Sequence, residues 1–356
     1  MSNRILHIIP SLSRGGAEVL LCRTIELLPE YEHKIVLLVK TQNRLRCNAD
    51  IICLNSNIPK DILSLKNKLN TIIDEFKPSL INAHLYWAVI LIRLCKTNSI
   101  PVLQWYHSDL YNKLNKEQYS LKRLILDKIT YKKRHFLVFV SRYLKEQITI
   151  KLGAKDNYFV LYNFVGKQFY NIPQLKPKPS NKALKILVVG NLRQQKNHLT
   201  LLRAIALLPP YEFETTIIGT GPMMAELEKF VRDQSLKNVN LTGSQDNVTH
   251  YLFDTDLFVM PSLLEGFGIS LLEAMAASRP CIVSDIPVFR EVGEDSLVYF
   301  NPTDYKELSV KILAFKDYHL RYEYGQKVHQ RASLFTAEKY SNKLRHMYKQ
   351  VILQDH

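Results

Sequence analysis

Cysteine is scarce in this sequence, and its placement excludes two classes of protein. The 356 residues contain only five cysteines, and no two of them have the C-x-x-C spacing of a zinc or redox site. They are Cys22, Cys47, Cys53, Cys95 and Cys281. An odd and scattered set is not typical of a disulfide-rich secreted domain or of a structural zinc site, so we expect buried free thiols.

Long apolar runs are also lacking. None approaches the roughly 18 residues that a transmembrane helix needs, and the apolar run at residues 5–9 is too short for the core of a secretory signal. We therefore expect the chain to stay in the cytoplasm. Its 46% hydrophobic content over 356 residues is enough for two domains of ordinary size, each with its own core.

Acidic residues are few in the first half of the chain. Residues 1–170 contain 26 Lys and Arg against 13 Asp and Glu, whereas residues 171–356 contain 22 against 20. Such an asymmetry favours a polyanionic partner, either an anionic membrane surface or nucleic acid, unless the proteome as a whole is basic. The chain has no RNP, helix-turn-helix or zinc-finger signature, so a nucleic-acid-binding protein is the weaker interpretation.

Apolar strands and helices alternate through the first half. Strands are predicted at residues 5–9, 35–39, 51–54, 80–83 and 102–105, and helices at residues 17–28, 63–76 and 87–95. Alternation of this kind predicts an α/β fold with a parallel, doubly wound sheet. Gly15 and Gly16 lie between the first strand and the first helix, where such sheets can cradle a phosphate, although a glycine pair alone is weak evidence.

Two polar positions follow strands of this predicted sheet. His84 comes after the fourth strand, and His107-Ser108-Asp109 comes after the fifth. Ligands of doubly wound sheets bind beyond the carboxyl ends of the strands, so both positions are candidates. A lone histidine is more often structural, and we assign His84 to that class.

Residues 111–134 are rich in lysine, with leucine and isoleucine recurring at roughly helical spacing. The pattern predicts a basic amphipathic helix. Two interpretations stay open: a helix that covers the domain and has a solvated face, or a surface helix that lies on anionic lipid, where each Lys or Arg contributes about 1 kcal/mol near the headgroups.

Residues 166–185 contain three prolines and little apolar periodicity, which predicts a linker. A second strand–helix series begins at residues 186–189, and the loop after this strand carries Arg193 and Lys196. A bidentate guanidinium and a mobile ammonium at a strand end suit a diphosphate leaving group. The alternative is that both are ordinary exposed loop residues.

Residues 259–292 contain a strand, a glycine loop and a helix in that order. The loop is Glu265-Gly266-Phe267-Gly268, the helix begins near Ile269, and Glu273 lies inside it. A helix N-terminus after a glycine loop favours an anion. Glu265 and Glu273 are eight residues apart, about two helical turns, so they would hold different parts of an extended ligand rather than act on one atom. Taken singly, each is also compatible with an ordinary solvated acid.

The whole phrase from Pro261-Ser262 through Glu265, Glu273 and Arg279-Pro280 resembles glycosyltransferase family 4, whose signature is the spaced glutamate pair. The resemblance extends from about residue 4 to about residue 302. It implies the GT-B fold, in which two Rossmann-like doubly wound domains face one another across a cleft. By this resemblance the acceptor-side domain is residues 1–170 with helix 337–356 packed back on it, and the nucleotide-sugar domain is residues 171–336.

The resemblance also implies the site residues. In the second domain Glu273 would hold the ribose of the donor, Lys196 and Arg193 the diphosphate, and Glu265 with the backbone of Gly266, Phe267, Gly268 and Ile269 the sugar. Asn191 stands where the family usually has an arginine, and Arg193 is the substitute. From the first domain, His107 and the Gly15-Gly16 loop would contact the transferred sugar, the donor phosphates or the acceptor.

The implied activity is retaining transfer of a hexose or N-acetylhexosamine from a UDP- or GDP-linked sugar to a lipid-linked saccharide, in polysaccharide, O-antigen or capsule synthesis. The enzyme would act at the inner face of the membrane, held by the basic first domain. Within the fold, a transferase with a soluble acceptor or a UDP-sugar epimerase is the alternative.

Neither a cofactor nor a metal is expected. Asp254-Thr255-Asp256 has the D-x-D pattern of metal-binding glycosyltransferases of another fold, but it directly precedes a buried strand. The diphosphate already has Lys196, Arg193 and a helix N-terminus as counter-charges. The two glutamates suit ligand holding better than the close carboxyl pair of a double displacement.

Overall fold

The computed structural model describes residues 3–13, 15–40, 45–114, 120–155, 157–174 and 182–354. The chain divides into two compact units. Unit 1 contains Met1–Tyr111, Gln118–Asn163 and Glu338–His356, and unit 2 contains Asn112–Glu117 and Phe164–Ala337. The division after residue 163 comes seven residues before the expected one at 170, because Tyr170 packs with unit 2 and its hydroxyl donates to the Ala332 carbonyl at 2.7 Å.

Within the described residues, unit 1 is built on a seven-stranded sheet whose neighbouring strands are all parallel. The strands are β1 Arg4–Ile9, β2 Glu32–Leu37, β3 Asp50–Cys53, β4 Leu80–His84, β5 Val102–Tyr106, β6 Phe136–Phe139 and β7 Tyr158–Val160, in the order β3-β2-β1-β4-β5-β6-β7. Strands β4, β5 and β6 are buried at every position, as expected for a parallel sheet covered on both faces. The predicted doubly wound sheet is confirmed.

The helices that cover this sheet are α1 Gly16–Glu26, α2 Ile62–Phe76, α3 Tyr86–Leu94, α4 Leu121–Thr130 and α5 Arg142–Leu152. Helix α2 shows why they form: its buried residues recur at helical spacing, and it ends at Lys77 in the left-handed conformation. Helix α5 begins after Ser141, whose hydroxyl accepts from the Leu144 N–H, so the predicted cap is confirmed.

Unit 2 has a six-stranded sheet in the described residues, again with every neighbouring pair parallel. Its strands are β8 Leu184–Val189, β9 Phe213–Ile218, β10 Val239–Gly243, β11 Leu257–Met260, β12 Cys281–Ser284 and β13 Val298–Phe300, in the order β10-β9-β8-β11-β12-β13. The direction of winding reverses between β8 and β11. In doubly wound sheets this switch point is where ligands bind.

Nine further helices follow the strand β7, counted over the described residues. They are α6 Lys167–Tyr170, α7 His198–Ile205, α8 Met224–Asp233, α9 Val248–Phe253, α10 Ile269–Ala276, α11 Pro287–Gly293, α12 Tyr305–Ala314, α13 Tyr318–Ala332 and α14 Ala337–Gln354. The predicted linker at 166–185 therefore includes the short helix α6, and residues 175–181 of it lie outside the described part of the chain.

The last helix, α14, belongs to unit 1. Its Tyr340 hydroxyl lies 3.2 Å from the hydroxyl of Thr24 on α1, and its Tyr348 hydroxyl accepts from the Asn82 amide on β4 at 2.9 Å. Arg345 binds Glu30 at 2.6 Å. Buried polar contacts of this kind fix the rotation of the helix about its axis, because each hydroxyl has to reach one particular partner.

Two expectations about unit 1 are wrong. Cys22 and Cys47 are joined by a disulfide, with their Cα atoms 5.0 Å apart, because the Leu45 N–H bonds the Leu12 carbonyl and brings the segment around Cys47 onto α1. The basic helix is also shorter than residues 111–134. Backbone N–H groups at Tyr111 and Leu114 bond nearby Asp and Asn side chains, and such turns compete with a helix.

Candidate active site

Two loops meet at the switch point of unit 2. One follows β8 and carries Arg193 and Lys196, and the other follows β11 and carries Glu265. The Leu263 N–H bonds the Gln195 carbonyl at 2.8 Å, and the Ser270 hydroxyl, in the first turn of α10, donates to the Val189 carbonyl at 3.0 Å. These two bonds hold the β8 loop, the β11 loop and the start of α10 together.

Lys196 and Glu265 form an ion pair across these loops. The pair is mostly withdrawn from solvent, with 20% of the Lys196 side chain and 9% of the Glu265 side chain exposed. The same Glu265 oxygen accepts from the Ser262 hydroxyl at 2.8 Å, which fixes the carboxylate in place. The stem of Lys196 lies 3.9 Å from the position that a β-carbon on Gly190 would take, an ordinary van der Waals distance, so the side chain runs past the end of β8.

The N-terminus of α10 lies directly after the Glu265 loop. Gly268 caps it with a φ of +94°, a conformation that favours glycine, and a β-carbon there would lie 3.1 Å from the Phe289 ring. The first turn, Ile269 and Ser270, is partly exposed. Helix N-termini favour anions through their N–H groups and dipole. Glu273, also partly exposed, lies one turn further into α10.

The Phe267 side chain does not reach a ligand position. It is buried, and its ring packs edge-on against Phe335 at a centroid distance of 5.7 Å. Its backbone belongs to the turn before α10, so only the main chain of this residue is available to a ligand. Arg193, in the neighbouring loop, is partly exposed and caps the short 3-10 turn Gln194–Lys196.

The switch point of unit 1 brings together the ends of β1, β4 and β5. Gly15 caps α1 after β1; Gly16 begins the helix and is exposed. Glu18, on the first turn of α1, is buried against this loop and accepts from the Ser13 hydroxyl at 3.1 Å. Burial raises the pKa of the Glu18 carboxyl, while the Ser13 hydrogen bond opposes that shift.

His107 follows β5 and is partly exposed, whereas His84 at the end of β4 is buried. The Nδ1 atom of His84 lies 3.3 Å from the Nε2 atom of His107. Both rings stack on Trp105, with centroids 5.3 Å and 6.1 Å from it. Burial lowers the pKa of His107 to about 4, so the ring is neutral at pH 7.

Asp109 does not share the candidate ligand role of His107. Its carboxylate is fully buried and accepts from the Lys151 ammonium at 2.9 Å and from the Tyr111 N–H at 3.0 Å. Those bonds make Asp109 a structural residue that closes the turn after β5. The sequence could not separate this role from a ligand contact, since Lys151 is 42 residues away.

The predicted unit 2 residues Arg193, Lys196, Glu265 and Gly266–Ile269 thus converge on one switch point, with Glu273 one turn beyond. Asp254 and Asp256 do not: both bind Lys185, through its ammonium and its backbone N–H respectively, at the opposite end of β8. Among the described residues no group of three or more His, Cys, Asp or Glu is arranged to hold a metal ion. Ser262 was part of the recognised phrase, but its role in orienting Glu265 becomes visible only from the hydrogen bond between the two side chains.

Comparison with known proteins identifies the family. The model for Glycosyltransferase Family 4 matches residues 14–168, and the model for Glycosyl transferases group 1 matches residues 172–331. Together they match most of the chain, which therefore belongs to glycosyltransferase family 4 and is a glycosyltransferase.

Among its relatives, the putative glycosyltransferase EpsF of Bacillus subtilis is 23% identical over 307 residues, 79% of each chain. An Escherichia coli enzyme described as UDP-Gal:alpha-D-GlcNAc-diphosphoundecaprenol alpha-1,3-galactosyltransferase is 34% identical over 145 residues, 40% of this chain and 31% of that one. The structure of Anabaena Alr3699/HepE in complex with UDP and glucose superposes with a TM-score of 0.82 at 17% identity, covering 97% of this chain and 99% of that one. The expected GT-B fold is confirmed.

Proposed function

We propose that the protein is a retaining glycosyltransferase that transfers a hexose or N-acetylhexosamine from a UDP- or GDP-linked sugar to a lipid-linked saccharide during synthesis of a bacterial polysaccharide, O-antigen or capsule. The observation that carries the proposal is the Lys196–Glu265 ion pair at the switch point of unit 2, beside the N-terminus of α10. The galactosyltransferase relative supports a lipid-linked acceptor, and the UDP and glucose bound to HepE support a UDP-linked donor.

In unit 2 we assign the donor's parts to particular groups. The diphosphate binds Lys196, Arg193 and the first N–H groups of α10, which supply positive charge as the leaving group develops its negative charge. The sugar binds Glu265 and the backbone of residues 266–269. The ribose binds Glu273, which lies one turn into α10 and eight residues after Glu265 of the preceding loop.

Donor binding then exchanges one set of contacts for another. The Lys196 ammonium leaves Glu265 for the diphosphate, and the Glu265 oxygens accept from sugar hydroxyl groups while Ser262 keeps the carboxylate oriented. Both charged groups keep a polar partner in each state. Exchange of this kind avoids the penalty of several kcal/mol that a buried, unpaired charge carries.

In unit 1 we assign His107 and the Gly15-Gly16 loop to the transferred sugar, the donor phosphates or the acceptor. His107 is neutral at pH 7 because burial lowers its pKa to about 4, so it contributes hydrogen bonds rather than charge. We further propose front-face attack with retention, in which the leaving phosphate takes the acceptor's proton, and no required metal.

Helix α4 supports attachment to an anionic membrane surface at the inner face. Its buried residue is Asp127, which binds Arg93 of α3 and accepts from the Tyr111 hydroxyl. Three apolar side chains of α4 face outward instead: Leu121, Ile125 and Ile129, four residues apart, are exposed, whereas Leu124 and Leu126 are partly buried. A helix anchored by its polar residue and exposing a basic, apolar face suits the lipid interface. The described chain has no helix long and apolar enough to span the bilayer.

The test is a thermal-shift screen across UDP-glucose, UDP-galactose, UDP-N-acetylglucosamine and GDP-mannose, followed by transfer assays with and without a bacterial lipid extract. A donor at 100 times its dissociation constant adds about 2.7 kcal/mol, a readily measured shift. The proposal predicts one or more stabilising donors and sugar transfer only when lipid is present. Transfer to a soluble sugar alone, or epimerisation of the donor, would replace the proposed acceptor.

A further inference from the structure

Four histidines form a row across the sheet of unit 1, from β2 through β1 and β4 to the loop after β5. The row is His33, His7, His84 and His107. The His33 Nδ1 and His7 Nε2 atoms lie 3.0 Å apart, the His7 and His84 rings stack with centroids 6.0 Å apart, and His84 and His107 are joined at 3.3 Å. Only His107 is not buried.

The first half of the row has a fixed proton arrangement. The His33 Nε2 atom lies 2.9 Å from the Leu28 carbonyl, and since a carbonyl only accepts, Nε2 carries the proton. Burial lowers the pKa of His33 and of His7, so both rings are neutral at pH 7. The His33 Nδ1 atom is therefore the acceptor, and His7 donates to it from Nε2. His7 is left with a bare lone pair on Nδ1, which is buried without a partner among the described residues.

His84 and His107 share one proton, and the burial of the other His84 nitrogen decides which ring holds it. The His84 Nε2 atom is buried and has no hydrogen-bond partner among the described residues. If His84 carried its proton on Nε2, a buried N–H group would have no acceptor. A buried donor without a partner is rarer and more costly than a buried acceptor without one. The arrangement that avoids this has the proton on Nδ1 of His84, donated to Nε2 of His107.

We propose that His84 is a positioning residue that holds His107 in the Nδ1–H tautomer, so that His107 can only donate a hydrogen bond to the substrate and cannot act as a base. With its Nε2 lone pair occupied by His84, the neutral His107 ring has one group left for a ligand, the Nδ1–H. A donor at that position suits a sugar hydroxyl or a phosphate oxygen. The inference deepens the proposed function and rests on His107 contacting substrate.

The first experiment reads the tautomer without any activity. Long-range ¹H–¹⁵N correlation spectra of the full-length, ¹⁵N-histidine-labelled protein at pH 7 separate the two neutral tautomers of each ring, and His107→Gln identifies the His107 signals. We expect His107 as the Nδ1–H form and His7 and His33 as the Nε2–H form. A His107 ring protonated on Nε2 would overturn the proposal.

The second experiment compares two variants of His84 in nucleotide release from the donor that gives the largest thermal shift. His84→Asn keeps an N–H near the position of Nδ1, whereas His84→Phe keeps the ring on Trp105 and removes the donor. We expect kcat in His84→Asn within threefold of wild type and a loss of about tenfold in His84→Phe, the worth of one hydrogen bond. In His84→Phe the His107 signals should also show both tautomers.

The outcomes separate this inference from the proposed function. Equal kcat in His84→Phe and wild type, while His107→Ala loses activity, would refute the positioning role and leave the proposed function standing. Full activity in His107→Ala would instead remove His107 from the proposed function, and the spectra would still decide the tautomer.

Discussion

The exposed apolar stripe of α4 gives a prediction whose size follows from the structure. We define the stripe as Leu121, Ile125 and Ile129, whose side chains are 58%, 47% and 77% exposed. Full burial of such a side chain contributes about 1.5–3 kcal/mol, so covering the exposed fraction with lipid is worth about 1.2 kcal/mol for each residue and about 4 kcal/mol for the three. That corresponds to about 10²–10³-fold in partition coefficient.

Replacing all three residues by serine should therefore nearly abolish binding to phosphatidylglycerol-containing vesicles, measured by flotation in dilute buffer. Folding should be little affected, because exposed positions contribute little packing, serine and isoleucine have similar helix propensities, and replacing leucine by serine in a helix costs only about 0.3 kcal/mol. Val310→Ser on α12 of unit 2 is the matched control: its side chain is 68% exposed, and the variant should float with wild type.

The charges around the stripe should matter differently. Neutralising Lys122, Arg123, Lys132 and Lys133 should weaken binding at low salt by about 1 kcal/mol for each charge near the headgroups, and the difference should shrink as salt shortens the screening length to about 10 Å at 0.1 M. If the triple serine variant floats as wild type does, α4 does not insert, and the membrane assignment fails. If neither wild type nor variant binds vesicles in dilute buffer, the basic charge of unit 1 serves another purpose.

Three further predictions concern catalysis and stability. Lys196→Ala should lower turnover about 100-fold, as expected for the loss of one preorganised charge. The control Lys185→Ala breaks an ion pair at the opposite end of β8, and its turnover should stay within threefold of wild type. Equal effects of the two substitutions would remove Lys196 from the mechanism. NMR of the first-formed product should show a retained anomeric configuration and EDTA should leave activity intact, while inversion, or loss restored by Mg²⁺, would contradict the assignment. Burial lowers the pKa of His135 and of His198 to about 3, well below the unfolded value of about 6.5. As the pH falls below 6.5, the unfolded chain binds protons at these residues and the folded protein does not. The free energy of unfolding should therefore fall by about 2 kcal/mol for each residue at pH 5. A urea midpoint unchanged between pH 7 and pH 5 would refute that.

Sequence periodicity predicted the parallel sheets well, because a strand buried on both faces forms an apolar run that can be recognised from its own residues. Helix α10 begins at the predicted residue, Ile269. Two boundaries moved because of hydrogen bonds that the periodicity does not show. Residues 111–114 stay out of the helix because Asp109 and Asn112 bond the backbone, and Tyr170 joins unit 2 through Ala332.

Contacts between residues of different loops could not be predicted from the sequence. Glu265 and Lys196 were both predicted as ligand residues, but each was assigned a different part of the donor, and nothing in their 69-residue separation indicated that they bind each other. The Cys22–Cys47 disulfide depends on a return of the chain onto α1, which has no local signature. The histidine row was missed for the same reason, since it forms only when β2, β1, β4 and β5 are placed side by side.

The assignment of α14 to unit 1 has a consequence for the order in which the chain can fold during synthesis. Unit 2 is almost entirely one continuous segment, 164–337, and its residues are all available before the last helix is made. Unit 1 is completed only by that last helix, whose side chains Tyr340, Leu344, Met347, Tyr348 and Val351 are buried in its core. A nascent chain therefore carries an unfinished first unit, with Thr24 of α1 and Asn82 of β4 lacking their tyrosine partners, until residues 338–354 have been made. Unit 2 can therefore finish folding before unit 1, although unit 1 begins earlier in the chain, which reverses the usual N-terminal-first order.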